Sequence, residues 1–287
     1  MDITAIAMGL VFAVIWSSAF TSARIIVADA PPLFALSLRY LISGLIGVGI
    51  AAALGQPWRL SPSQWRAAAI FGIFQFGIYL GTNFWAMQTV EASFAAIIAS
   101  TMPLLVSLAS WIVLKEHMSP LGLLGLGLGF AGVFLIMGAR LNAGVDPFGT
   151  MLCIIGVLSL TISTMAVKNA AAGDNVLMVV GIQMLIGAVF LAPVSLSIET
   201  IEITWSWPLI IAFLYTTLFP GLIATFVWFL LVKRIGAMKA STFHFLNPVF
   251  GVAIAALFLS EALGPTDLLG VIIVTAGILA VQIAKQR

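Results

Sequence analysis

The residues AAIIASTMPLLVSLASWIVLKEHMSPLGLLGLGLGFAGVFLI, Ala95 to Ile136, have a second copy 145 positions on, from Ala240 to Val281. Laid together without a gap, the two stretches pair Pro103 with Pro248, Glu116 with Glu261 and Pro120 with Pro265. Leu124-Gly125 falls on Leu269-Gly270, and Ala131-Gly132 on Ala276-Gly277. Matches of Leu, Ala and Gly are cheap in an apolar chain, but the whole sequence holds only 10 acidic residues. Two Glu at one fixed offset from two Pro therefore mark an internal duplication.

The rest of the chain says where that duplication lives. Of its 287 residues 62% are hydrophobic and 8% charged, with a mean hydropathy of +1.19. A helix crossing a bilayer takes roughly 20 apolar residues, and such runs follow one another from Ile3 to Ala284 with short polar breaks. This composition gives a polytopic helical membrane protein with its surface in the lipid bilayer. A net charge of +2 without a basic tract gives no footprint for nucleic acid. The single Cys153 rules out an intramolecular disulfide. Met1-Asp2-Ile3-Thr4 carries no basic n-region, so the first apolar run is expected to be a retained helix.

The fold expected is all-α and integral to the membrane. Ten transmembrane helices are predicted over residues 3–26, 33–54, 67–87, 92–114, 121–139, 148–168, 176–198, 207–232, 240–259 and 266–284. Five belong to a first repeat over 1–140 and five to a second over 146–287, in one membrane domain. Five crossings are an odd number, so the second copy must enter from the opposite side and the repeats are inverted. Loop charges agree with that topology. With the N-terminus inside, Arg59, Arg66, Lys115, Lys168, Lys233, Arg234, Lys239, Lys285 and Arg287 lie inside, Arg24 and Arg140 outside, and Arg39 within the membrane. The positive-inside rule then puts both termini in the cytoplasm. Inverted repeats are the mark of secondary transporters, whose sites lie near the midplane at broken helices; Pro103 and Pro248 name the fourth and ninth helices as those.

Polar side chains inside apolar runs supply the candidate site. Arg39 can hold a carboxylate bidentately, or pair internally, or reach for the headgroups. Gln75, Tyr79 and Asn83, at i, i+4 and i+8, share one helix face and suit either a solute or interhelical hydrogen bonds. Trp16 and Ser17 in the first helix are matched by Ser163 in the sixth. Thr101 and Pro103, and Asn247 and Pro248, mark the breaks, where proline in mid-helix leaves a carbonyl unpaired. His244, one turn from Asn247, is either a proton-coupling group or a neutral, hydrogen-bonded ring. Trp16, Phe20, Trp85, Tyr215, Phe219, Trp228 and Phe243 are candidates for an apolar pocket, whereas Trp58, Trp65, Trp205 and Trp207 fit the interfacial belts. Glu116 and Glu261 sit just before a new helix and read as caps of it. The glycine series Gly122, Gly125, Gly129 and Gly132 reads as a packing edge, as do Gly44 and Gly47.

The repeated pattern, a proline-bearing helix ending in Glu116 or Glu261, then Pro120 or Pro265, then a Leu-Gly and Ala-Gly helix, resembles the EamA modules of the drug/metabolite transporter superfamily. The resemblance covers essentially the whole chain, which looks most like the YddG-type exporters of aromatic and other neutral amino acids. It implies a central cavity between the repeats, alternating access, and export of a small-molecule substrate across a bacterial inner membrane; helices 1, 3, 4, 6, 8 and 9 are expected to line that cavity and helices 5 and 10 to pack behind. Export of drugs or flat organic cations is the alternative within the superfamily. No Gly-x-x-x-x-Gly-Lys-Ser/Thr phosphate loop is present, so the chain does not hydrolyse ATP by that route. His117 and His244 are too few for a metal centre, no Gly-x-Ser-x-Gly occurs, and no enzyme activity and no cofactor is expected.

Overall fold

The computed structural model describes residues 3–166, 175–236, 240 and 242–286. Lys168, Lys239, Ser241 and Arg287, and the side chains of Lys233 and Lys285, lie outside what is described. Ten helical segments follow in order. They are α1 (Ile3–Asp29), α2 (Pro32–Ala53), α3 (Pro62–Phe71, Gly72–Tyr79, Leu80–Ala86), α4 (Ala92–Ala99, Met102–Ile112) and α5 (Pro120–Asn142). The second half holds α6 (Pro147–Ala166), α7 (Val176–Ile198), α8 (Trp207–Thr216, Thr217–Ile223, Ala224–Ile235), α9 (Thr242–Leu246, Asn247–Leu259) and α10 (Pro265–Gln286). Nine are long and apolar enough to cross a membrane, and α9 contributes a shorter apolar stretch, Phe243–Leu259. The chain is an all-α membrane protein of two repeated halves.

Short polar residues set where these helices start. Ser61 forms a capping box with Gln64 ahead of α3, and Ser206, 145 positions later, accepts from Leu209 N ahead of α8. Ser119 likewise caps α5. The Thr89 hydroxyl and the Gly149 and Phe148 amides donate to Asp146 at the start of α6 and hold its carboxyl below the ordinary carboxylate range.

Three features depart from the regular helices expected. Residues Gly72–Tyr79 in α3 and Thr217–Ile223 in α8 are wide π turns, and their starts are again 145 apart. Helix α4 is broken at Ser100 and Thr101, so Pro103 falls in the first turn of a new helix, where its missing N–H costs no bond. The hydroxyls of Ser100 and Thr101 take up the carbonyls of Ala96 and Ile98. Helix α9 begins as a 3-10 turn, Thr242–Leu246, with Pro248 in the first α turn after it. Proline thus starts the second piece of each broken helix instead of standing mid-helix. After α4 and α9, Lys115 and Ser260 adopt the left-handed region, both at φ 55° and again 145 apart; a non-glycine residue accepts that conformation at some cost.

The chain forms two compact units, each drawing on both repeats. One comprises Met1–Thr21, Thr89–Ile154 and Ala224–Arg287; the other comprises Ser22–Gln88 and Ile155–Ile223. In the first, α5 packs on α10 with backbone almost touching. A Cβ placed on Gly125 would lie 2.8 Å from Gly277 O, and one on Gly277 2.7 Å from Gly125 O. Gly132 and Gly270 stand in the same reciprocal relation, at 3.0 and 3.2 Å. Because the duplication equates Gly125 with Gly270 and Gly132 with Gly277, each glycine meets the counterpart of the other, as a local two-fold axis requires. The second unit repeats the device between α2 and α7. Gly44 meets Gly181 O at 3.0 Å, and Ser37 Oγ donates to Ala188 O at 3.1 Å, the offset here being 144.

Carboxylates tie each unit together. Glu261 accepts from Ala92 N and Ser93 N, at 2.8 and 2.9 Å. It is a cap, as its place before a helix suggests, but the helix it caps is α4 of the other repeat and not the α10 that follows it. In the second unit Glu199 accepts from Leu33 N and Phe34 N at the start of α2, at 2.9 Å each. Arg24 donates to the carbonyls of Met87 and Gln88 at the end of α3, where a cation complements the helix dipole. Glu261→Ala is expected to cost about 2 kcal/mol of stability, read as a lower denaturation midpoint in detergent. Glu261→Gln, which keeps one acceptor, should cost less; equal loss for both would remove the capping account.

Candidate functional site

In the first unit, α1, α8 and α9 bring aromatic rings around one histidine. Phe12 lies 4.8 Å from Trp228 and 5.6 Å from Trp16, centroid to centroid. His244 sits 5.1 Å from Trp228, and Phe12 and Trp16 meet it edge-on at 5.4 and 6.5 Å. The 3-10 turn brings residues i and i+3 into line. It thereby sets Asn247 Nδ2 2.9 Å from His244 Nδ1. The Asn247 amide and the His244 ring are thus hydrogen-bonded side chain to side chain. Ser17 Oγ donates to the Asn247 carbonyl at 3.4 Å, while Asn247 Oδ1 is buried with no hydrogen-bond partner among the described residues. The cluster is a set of mutually packed rings with the Asn247 amide beside it, chemistry suited to recognising a flat organic group.

Of the expected residues, Trp16, Ser17, Trp228, His244, Asn247 and Pro248 come together here. Phe20 is buried farther along α1, and Thr101 and Pro103 are buried at the α4 break. Phe243 is buried next to Gly9 with Ala5, Leu231 and Ala240, and Trp228 packs against the same group. Phe12 went unnoticed in the sequence, because one Phe in an apolar helix looks like any lipid-facing Phe.

The second unit holds the remaining candidates. Gln75 Oε1 accepts from Ser163 Oγ at 3.1 Å, and Ser159 Oγ donates to Phe74 O, so the π turn of α3 is stitched to α6. Asn83 Nδ2 bonds the Tyr79 carbonyl one turn back, leaving Oδ1 buried without a partner among the described residues. Gly156 makes room for that amide, since a Cβ there would lie 2.3 Å from Asn83 Nδ2. Tyr79 itself is buried. Tyr215 stacks on Phe219 at 5.1 Å, with Phe219 exposed. Arg39 is 5% exposed, its guanidinium 5.0 Å from the Tyr40 ring centroid.

A family model for EamA-like transporters matches residues 3–138 and, a second time, residues 147–282. The chain belongs to the EamA-like transporter family. It is similar to uncharacterized transporter YvbV of Bacillus subtilis, 28% identical over 281 residues that cover 97% of this chain and 92% of that one. Protein PecM of Dickeya dadantii is 24% identical, over 93% and 89% of the two chains. A crystal structure 20% identical in sequence superposes over the full length of both chains with a TM-score of 0.70, a likeness of fold. This EamA-like chain is accordingly a multi-pass membrane transporter and not an enzyme. Among its described residues no group of three or more His, Cys, Asp and Glu is arranged to hold a metal.

Proposed function

We propose that this transporter exports small neutral organic solutes, amino acids with aromatic side chains first, across the bacterial inner membrane by alternating access. Residues 1–140 and 146–287 act as the two inverted repeats, and both termini are cytoplasmic, in keeping with nine Lys and Arg inside against two outside. The observation that carries the substrate reading is the Phe12, Trp16, Trp228 and His244 cluster with the Asn247 amide beside it. Rings of the solute stack there. Trp228→Ala is expected to raise the KM for phenylalanine flux in liposomes about tenfold with the protein still folded. An unchanged KM would remove the cluster from the solute's path.

The same rings favour a second reading, export of flat organic cations. Charge argues against it. Every described acidic side chain, from Asp29 and Glu91 to Glu261 and Asp267, stands at a helix end or in a connection, leaving no counter-charge for a cation at mid-membrane.

A further inference from the structure

Arg39 is a buried cation without an anion. It lies eight residues into α2, about 10 Å along the helix axis, and its guanidinium reaches Gly221: a Cβ on that glycine would sit 3.8 Å from Arg39 Nη2. Gly221 stands midway between Trp207 and Ile235 in α8, about 20 Å from either end. The guanidinium is therefore held at mid-helix depth and does not reach the headgroups. Among the described residues no carboxylate pairs with it, and Nε makes no hydrogen bond. The buried Tyr40 ring lies beside it, 5.0 Å from the guanidinium carbon. Unmatched donors around a buried charge are costly unless an acceptor arrives.

We infer that Arg39, with Tyr40 beside it, is the carboxylate-binding residue of the second unit, so that the solute carried must bear a carboxylate. A guanidinium takes both carboxylate oxygens at once. This deepens the amino acid reading, on which it rests for the identity of the solute, and it disfavours simple amines and organic cations. Arg39→Lys keeps the charge but loses the fork; Arg39→Gln loses both.

The test uses the full chain in detergent, with ligand-dependent thermal stabilisation as readout. Its probes are phenylalanine, 3-phenylpropionate, which lacks the amine, and phenethylamine, which lacks the carboxylate. Wild type is expected to be stabilised by the first two and not by the third. Arg39→Gln should weaken both carboxylates about 30-fold or more, with Arg39→Lys between, each variant being checked for monodispersity. Arg39→Lys decides alone if Arg39→Gln does not fold. Phenethylamine binding as well as phenylalanine, no carboxylate binding by wild type, or unchanged carboxylate affinity in a folded variant would overturn the assignment. Phenylpropionate binding lost in Arg39→Gln, with no phenylalanine flux in wild type, would keep Arg39 and sink the amino acid reading. Phenylalanine flux unimpaired in Arg39→Gln would do the reverse.

Discussion

Gly277→Ala is expected to cost more than about 3 kcal/mol and to leave little monodisperse protein in detergent. A Cβ at Gly277 would lie 2.4 Å from Gly129 N, 2.6 Å from Gly129 Cα and 2.7 Å from Gly125 O. All three are backbone atoms of a helix, so no side chain can turn aside; α5 and α10 must part along their shared edge. Gly127→Ala on the same α5 is the control. Nothing lies within 4 Å of its added Cβ, and alanine is the better helix former by up to about 1 kcal/mol. The denaturation midpoint should fall sharply for the first variant and hold or rise for the second. Equal, small effects would mean that the α5–α10 contact is not as close as described.

Asp267→Ala should follow with a loss of about 2–3 kcal/mol. Its Oδ1 accepts from Arg140 Nε at 2.9 Å, and its Oδ2 accepts from Gly264 N at 2.9 Å, capping α10. Arg140 also pairs with Glu91, and its Nη2 is already buried without a partner. Removing Asp267 therefore uncaps one helix and strips half the compensation from a cation only 12% exposed in its side chain. Arg140→Met in the Asp267→Ala background should recover part of the loss, because the stranded charge goes with it. No recovery in the double variant would assign the effect to the cap alone.

Much of this architecture was legible because it is written twice. Pro103 with Pro248 and Glu116 with Glu261 exposed the duplication, and an odd number of crossings gave the inversion. Ser61 and Ser206, both helix caps 145 apart, carry the same signal. The π turns were not legible, since only one of the pair contains a proline, Pro220, and the other, Gly72–Tyr79, reads as ordinary helix. The left-handed Lys115 and Ser260 were hidden for a related reason: neither is a glycine. Nor does periodicity say which helices meet. The partner of Glu261 lies 169 positions away in the other repeat, a consequence of the two-fold arrangement and not of local sequence.

The candidate site divides along the same line. Trp16, Trp228, His244 and Asn247 were marked by residue type within apolar runs and do come together. Gln75 and Ser163 were marked for the same reason, yet they bond to each other across α3 and α6, because a polar side chain in a membrane helix serves packing as readily as ligand binding. Phe243 packs beside Gly9, a partner more than two hundred residues away. Arg39 was conspicuous from the start, but its depth became plain only from Gly221 beside it.

The most direct test of the account is flux of labelled phenylalanine through the purified chain in ATP-free liposomes, alongside a flat organic cation, each with and without a pH gradient. The account predicts saturable phenylalanine flux down its own gradient and little movement of the cation. Gradient-driven cation flux with no phenylalanine transport would contradict it.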